Sequence, residues 1–283
     1  MSQKVLGIIG GSGLYDIEGL RDVETHQIDT PFGKPSGEFR SGILNETKLI
    51  FVPRHGYHHE FTPSEVNYRA NIYGMKKMGV SYILSVSAVG SLKKEIVPGH
   101  MVLPDQFFDR TKDRQATFFG NGIVAHVPFG QPICLKLQGK LKSACDQVGA
   151  TTHVGGTYVN MEGPMFSTKA ESQFYRSIGA SIIGMTNLTE AKLAREAEMS
   201  YATLALATDY DCWHEGEEDV NALSVLEVMK ENVANAKKII AELCKNMCDA
   251  PSPFKGILKN SVLPYDHAPE ETREKLSILL QDL

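Results

Sequence analysis

The sequence predicts an α/β fold: a single domain with a central mixed, mostly parallel sheet flanked by helices. Three observations carry this. Short apolar runs of strand length alternate along the chain with segments of helical periodicity. Glycine, charged and hydroxyl residues stand just beyond one apolar run after another, where α/β sheets place their ligands. The chain has 283 residues, enough for one large core, with no internal repeat and no low-complexity tract.

Val5-Leu6-Gly7-Ile8-Ile9 is the first expected strand, running into Gly10-Gly11-Ser12-Gly13. Such glycines let a backbone turn and bring its N–H groups against an anion. Gly11 and Gly13 supply two glycines of a dinucleotide fingerprint, but Asp16 holds the third position and would repel a pyrophosphate. No Gly-Lys-Ser/Thr follows, so the turn is not a P-loop. Lys48 to Val52 is the second strand, ending in Pro53-Arg54-His55-Gly56. An arginine fork matches phosphate oxygens. The histidines that follow (His55, His58, His59) have no defined carboxylate partner of the kind a metal site needs, and no metal is expected.

Thr62-Pro63-Ser64-Glu65 reads as a capping box that starts a helix running to about Met78, with Gly79 as its cap. Tyr82 to Ala88 is a third strand and Met101 to Asp105 a shorter fourth. Phe107 to Phe129 has no clear period, which marks a functional or inter-subunit excursion. Ile133 to Val148 is an amphipathic helix, and the run from Gly156 is a strand that ends near Glu162. Thr168 and Glu171 form a second capping box for a helix ending at Gly179. Ser181 to Thr186 is a strand, Leu188 to Met199 a short helix. The apolar run Ala202 to Ala207 then stops at Thr208-Asp209-Tyr210-Asp211, two carboxylates one residue apart. If extended, the chain would point both to one side. A long helix, Ala222 to about Met247, a linker from Pro251 to Pro264, and a final amphipathic helix after Pro269 complete the chain. The main domain is thus placed at 1–250. Residues 251–283 are a tail whose Leu276, Leu279 and Leu280 must cover their own domain or a neighbouring subunit.

A formal net charge of -5 and the absence of a basic run argue against a nucleic-acid partner. No apolar run approaches the ~20 residues needed to cross a bilayer. The N-terminus runs straight into a strand, so no secretory leader is expected. Five scattered cysteines form neither a disulfide framework nor a zinc pattern, and a reducing cytoplasmic setting fits them.

Several motifs together resemble the nucleoside phosphorylase family: Gly7 to Leu14, Thr30 to Ser36, Arg54 to Gly56, Val66 to Ile72, Asp105 to Thr111, Glu162 to Thr168 and Ala207 to Trp213. The last is similar to the trimeric branch acting on 6-aminopurines. The resemblance spans residue 4 to about 245. It implies that inorganic phosphate, as co-substrate and with no cofactor, attacks C1′ of 5′-methylthioadenosine. The products would be adenine and 5-methylthioribose 1-phosphate, intermediates of purine and methionine salvage. It implies that Gly11, Ser12, Arg54, His55, Ser87, Ala88 and Thr186 bind phosphate. Met185 would lie on the ribose, Phe166 and Ser167 at the base, and Val220, Val225 and Leu226 around the methylthio group. His126 would come from a neighbouring subunit of a homotrimer. Asp209 would donate or hold the proton at purine N7, kept there by an apolar pocket, and Asp211 would accept from the 6-amino group.

Four positions depart from the family pattern: Ser12, Met165, Asn187 beside Thr186, and Thr189, where a proline usually precedes the glutamate. Two rivals remain. One is a phosphorylase for methylthioinosine or 6-oxopurine nucleosides, which the two aspartates disfavour. The other is a nucleotide-binding dehydrogenase or a nucleoside sensor without catalysis.

Overall fold

A computed structural model describes residues 4–214, 222–247, 251–264, 266–281 and 283. The side chains of Ser12 and of 222–227 are not among them, and Val220 and Cys248 lie outside the described residues. Strand β1 (Lys4–Gly10) runs parallel to β4 (Thr47–Pro53) on one side and to β5 (Tyr82–Ser91) on the other. Their near-continuous apolar composition follows from burial on both faces: Leu6, Leu49, Ile50, Ile83 and Leu84 are all inaccessible. Two antiparallel strands, β2 (Arg21–His26) and β3 (Phe39–Leu44), extend the sheet beyond β4. The sequence did not reveal them. β2, Arg-Asp-Val-Glu-Thr-His, is an exposed polar edge with no apolar period to read.

The first capping box caps no helix. Thr62 and Glu65 do bond side chain to backbone, at 2.9 Å, but they close a turn. Helix α1 (Tyr68–Lys77) starts later, with Asn67 as its cap. The second box is as expected: Thr168 and Glu171 bond reciprocally at the head of α3 (Lys169–Ser177). The excursion carries two short strands, β7 (Gln106–Arg110) and β8 (Val124–Ala125). β6 (Met101–Leu103), β9 (Thr152–Val154), β10 (Thr157–Met161), β11 (Ile182–Gly184) and β12 (Ser200–Asp209) complete a mixed sheet of eleven strands. Helices α2 (Leu135–Val148), α4 (Asn187–Glu196) and α5 (Ala222–Lys245) flank it.

The tail from 251 is not a plain linker. Its strand β13 (Val262–Leu263) pairs with β8, and the final helix is broken into α6 (Glu270–Lys275) and α7 (Ser277–Leu280). Leu276, Leu279 and Leu280 are buried in the main core of their own chain. They pack on this domain.

The ten-residue β5 is shared among three partners. On one side β12 accompanies it from Tyr82 to Gly90. On the other, β1 pairs only as far as Ser85, and β11 joins antiparallel only at Gly90 and Ser91. Residues 86–89 therefore face a gap where the strand direction reverses. Such a reversal is where α/β sheets open a binding crevice.

Candidate active site

That gap is the floor of a cavity of ≈ 1250 Å³, roomy for a nucleoside and an anion together. Val86, Ser87, Ala88 and Val89 line it, with Gly11 and Gly13 after β1, Arg54 to His59 after β4, and Asp209 and Asp211 at the end of β12. Pro164, Phe166, Ile183 to Thr186, and Met229, Lys230 and Val233 of α5 complete the wall.

The two aspartates reach the cavity by a route the sequence did not suggest. The chain is not extended there: the register slips between Ala207 and Asp209, and Asp211 adopts a left-handed φ of 53°. Aspartate tolerates that conformation better than most residues. A bulge and a turn, not strand alternation, bring the carboxylates together. Asp209 accepts from Asp211 N at 2.8 Å and from Thr208 Oγ1 at 2.7 Å. Asp211 is buried at 8 % exposure, and its Oδ2 has no hydrogen-bond partner. Burial raises its pKa, opposed by the nearby Ser172 and Ser167 hydroxyls. The lone tryptophan clamps this turn from outside: Trp213 Nε1 donates to Ser91 O at 2.7 Å, and Arg176 covers its ring. Gly90 belongs to the run of small residues Val89-Gly90-Ser91-Leu92, which the sequence offers as backbone that a ligand could touch; its lack of a side chain also makes room for a carboxylate. A Cβ there would meet Asp209 Oδ1 at 2.9 Å and Ile183 Cγ2 at 3.0 Å. A glycine inside a strand pattern was the available signal.

Phe166 lines the cavity and is half exposed. Ser167 is not on the lining; its hydroxyl faces Met161 Sδ, and its carbonyl accepts from Cys212 Sγ at 3.3 Å. Met185 lines the opposite wall. A Cβ on Gly163 would strike Met185 Sδ at 2.5 Å, so the glycine sets how closely that loop approaches. Arg114, in the excursion, holds the same region. It bonds Met185 O at 3.0 Å and Glu162 Oε1 at 2.9 Å. Glu162 also accepts from Ser64 Oγ and from Lys112 N. Burial works against its charge, but these bonds win and bring its pKa down to about 2. The reading of the residues had given Arg114 and Glu162 no partners, because they meet across 48 residues.

At the other end, the backbone of Gly11 to Gly13, His55, Ser87, Ala88 and Thr186 converge. Arg54 needs a correction. Its guanidinium is not a free fork. Nε donates to Glu190 Oε1 at 2.5 Å, Nη1 to Val86 O, and Nη2 to Ser85 Oγ and Ile9 O. Burial opposes its charge, yet the Glu190 carboxylate more than compensates and its pKa is raised. His55 Nδ1 lies 2.8 Å from Phe61 O, and a carbonyl only accepts, so that nitrogen carries the proton. Burial and then Arg54 lower its pKa to about 4, which leaves the ring neutral with an accepting Nε2 at neutral pH.

His126 does not line this cavity; it is exposed, its backbone bonded to Ser261 O. Val225 and Leu226 lie on α5 with side chains outside the description. The α5 residues on the cavity wall come a turn later, at Met229, Lys230 and Val233. Among the described residues no cluster of three or more His, Cys, Asp or Glu could hold a metal ion, and no helix is long and apolar enough to cross a membrane.

The sequence profile of the phosphorylase superfamily matches residues 5–245. An S-methyl-5′-thioadenosine phosphorylase of Geobacter sulfurreducens is 54% identical over 281 residues, covering 98% of each chain. One of Thermosynechococcus vestitus is 52% identical, covering 97% of each. Among solved structures, a methylthioadenosine phosphorylase sourced from an antarctic soil metagenomic library superposes with a TM-score of 0.94 at 45% identity. That match covers 99% of this chain and 100% of that one. A mutant of the adenosine/methylthioadenosine phosphorylase of Schistosoma mansoni, in complex with methylthioadenosine, gives 0.77 at 36%, over 85% and 90%.

Proposed function

The chain belongs to the phosphorylase superfamily, and from that premise we infer that it cleaves 5′-methylthioadenosine with inorganic phosphate. The products are adenine and 5-methylthioribose 1-phosphate, and the enzyme is a pentosyltransferase. The observation that carries the base preference is the buried, unpartnered Oδ2 of Asp211 beside Asp209. An exocyclic amino group supplies the hydrogen-bond donor that this oxygen lacks. A 6-oxo group would set acceptor against acceptor, at a loss on the order of 1–3 kcal/mol or more.

The mechanism follows from where the groups stand. Phosphate sits in the gap beside β5, against the backbone of Gly11 to Gly13, the hydroxyls of Ser87 and Thr186, the amide of Ala88, and His55. Arg54 acts mainly from below, since most of its N–H groups are committed. The neutral His55 Nε2 accepts a hydrogen bond from the proton that hydrogen phosphate still carries. Holding the nucleophile in line with C1′ is worth up to ~7–11 kcal/mol of otherwise lost freedom. Charge then builds on the ribosyl centre, an oxocarbenium-like state, with the phosphate's own negative charge beside it. Met185 gives that sugar an apolar face, and Phe166 does so for the base. Asp209 delivers or retains the proton at N7, so that adenine leaves neutral.

The methylthio group fits against α5, where Met229 and Val233 supply apolar surface, with Val220, Val225 and Leu226 adjacent in sequence. His126 closes a neighbouring subunit's cavity in a homotrimer. No resident cofactor or metal takes part, and nucleic acid and membrane are not partners. Buried thiols at Cys134, Cys145 and Cys244 favour a cytoplasmic setting.

Adenine release from methylthioadenosine, with and without phosphate, tests this reading. Inosine is the comparison. Phosphate-dependent release of adenine at more than ten times the inosine rate is expected; faster inosine cleavage would hand the site to the 6-oxopurine reading.

A further inference from the structure

Beneath the phosphate end of the cavity lies a buried polar network, of which the mechanism above uses only Arg54. Arg54, Ser85, Tyr158, Asn187, Glu190, Tyr201 and Thr203 are each at most 4 % exposed. Glu190, one turn into α4, is its hub. Oε1 accepts from Arg54 Nε at 2.5 Å, and Oε2 from Ser85 Oγ and Tyr201 OH, each at 2.7 Å. Asn187 carries the network on: its Nδ2 donates to Ser85 Oγ at 3.1 Å and Thr203 Oγ1 at 3.0 Å. Its Oδ1 accepts from Tyr158 OH at 3.1 Å and from Thr186 Oγ1 at 3.2 Å. Both Arg54 and Thr186 line the cavity, and the network joins them.

The charges matter more than the links. The network holds one fixed cation and one fixed anion, in contact. Arg54 therefore presents no net charge to the anion above it. That is unexpected for a site whose co-substrate is a phosphate, where an unbalanced arginine would bind more tightly. The chemistry explains it. As phosphate oxygen bonds to C1′, the phosphate becomes a monoester and gives up negative charge. A fixed cation below would stabilise the free phosphate more than the transition state. Such binding lowers the ground state and slows the chemical step. It would also neutralise the charge that stabilises the oxocarbenium face. We propose that Glu190 is a positioning residue that cancels the charge of Arg54, so that phosphate is held by oriented dipoles and keeps its negative charge for the reaction.

The inference rests on the phosphate reading given above, and the test separates the two. Phosphate affinity is measured from the rise in Tm with phosphate concentration, and kcat from adenine release at saturating substrates. Both are taken for the wild-type chain, Glu190→Gln and Glu190→Asp. If phosphate does not raise the wild-type Tm, the phosphate reading itself fails. Given wild-type binding, Glu190→Gln is expected to bind phosphate at least fivefold more tightly and to turn over at least tenfold more slowly. Glu190→Asp keeps the charge and is expected to bind within about threefold of wild type. A purely structural role gives the opposite pattern, with weaker binding and lower kcat together in Glu190→Gln, and that result overturns the proposal. Should Glu190→Gln not fold, Glu190→Asp still decides, because tenfold weaker phosphate binding there would mean that shape, not charge, is what Glu190 supplies.

Discussion

Replacing Asp209 by asparagine separates two things the carboxylate does. It accepts two hydrogen bonds, from Thr208 Oγ1 and Asp211 N at 2.7 and 2.8 Å, and in our mechanism it manages the N7 proton. The amide can keep one acceptor, but its NH₂ then faces a donor. The Thr208 hydroxyl can rotate away, while the Asp211 N–H cannot, so the oxygen turns to Asp211. At most one hydrogen bond is lost, because the rotated hydroxyl can accept from the amide NH₂; the cost is up to about 0.5–1.5 kcal/mol of stability. At 2–4 °C per kcal/mol for a chain of this size, that is a fall in Tm of no more than roughly 1–6 °C. The loss in turnover is larger, because a general acid contributes about 10²–10⁴-fold, or ~3–5 kcal/mol. Adenine release should therefore fall a hundredfold or more in kcat, with KM for methylthioadenosine nearly constant. A substrate methylated at N7 needs no proton there, since its base already carries the positive charge. Asp209→Asn should cleave it within about tenfold of the wild-type rate. A kcat within threefold of wild type on methylthioadenosine, or an equal loss on the N7-methylated substrate, would refute a proton role for Asp209.

Three further outcomes follow from the same geometry. His55 has a folded-state pKa of about 4 against an ordinary 6.5, so the unfolded chain takes up its proton first. Stability falls as pH drops from 6.5 to 4, by about 3 kcal/mol at 1.36 kcal/mol per unit; the urea midpoint of His55→Asn should lose less over that window than wild type. Glu196 is pushed the other way by burial, to about 7, despite its bonds to Phe118 N and Thr117 Oγ1. Its contribution is lost as pH rises from 4.5 through 7, and Glu196→Gln should flatten that decline in wild-type stability. Gly90→Ala places a methyl group 2.9 Å from Asp209 Oδ1; overpacking of this kind costs ~1–3 kcal/mol, and kcat should fall at least tenfold, whereas wild-type kinetics would mean the carboxylate has room to move.

The central sheet was legible because its strands are buried on both faces and are written as unbroken apolar runs. Val5 to Ile9, Lys48 to Val52 and Ala202 to Ala207 all lie in strands. Strands held by an edge or by a distant partner left no such trace: β2 is polar except for Val23, and β13 is two residues long and depends on β8. The site divides the same way. Arg54, His55, Asp209 and Asp211 stand where strands end, and strand ends can be read. Glu190, Asn187 and Arg114 act on the site through partners far away in sequence, and only folding brings them there. Arg54 shows the limit most clearly, since its residue type suggested a phosphate fork while its neighbours show a buried ion pair.

The pairing of β8 with β13 sets an order on the making of this protein. Residues 124 and 125 find their strand partner only at 262 and 263. Asn121 O likewise waits for Thr272 Oγ1 at 3.0 Å, and Gly122 lies against Pro269. A ribosome that has made the first 250 residues has already delivered every catalytic side chain named above. It has not delivered the strand that fixes the excursion, and contacts so far apart in sequence form late. The nascent chain therefore passes through a stage in which its sheet can be complete while the Val124–Ala125 edge and the core surface later covered by Leu276, Leu279 and Leu280 are still bare. Exposed edges and apolar surface of that kind invite association with other chains. Val262 and Leu263 remove the first liability by pairing that edge, and the three leucines remove the second by covering the apolar surface.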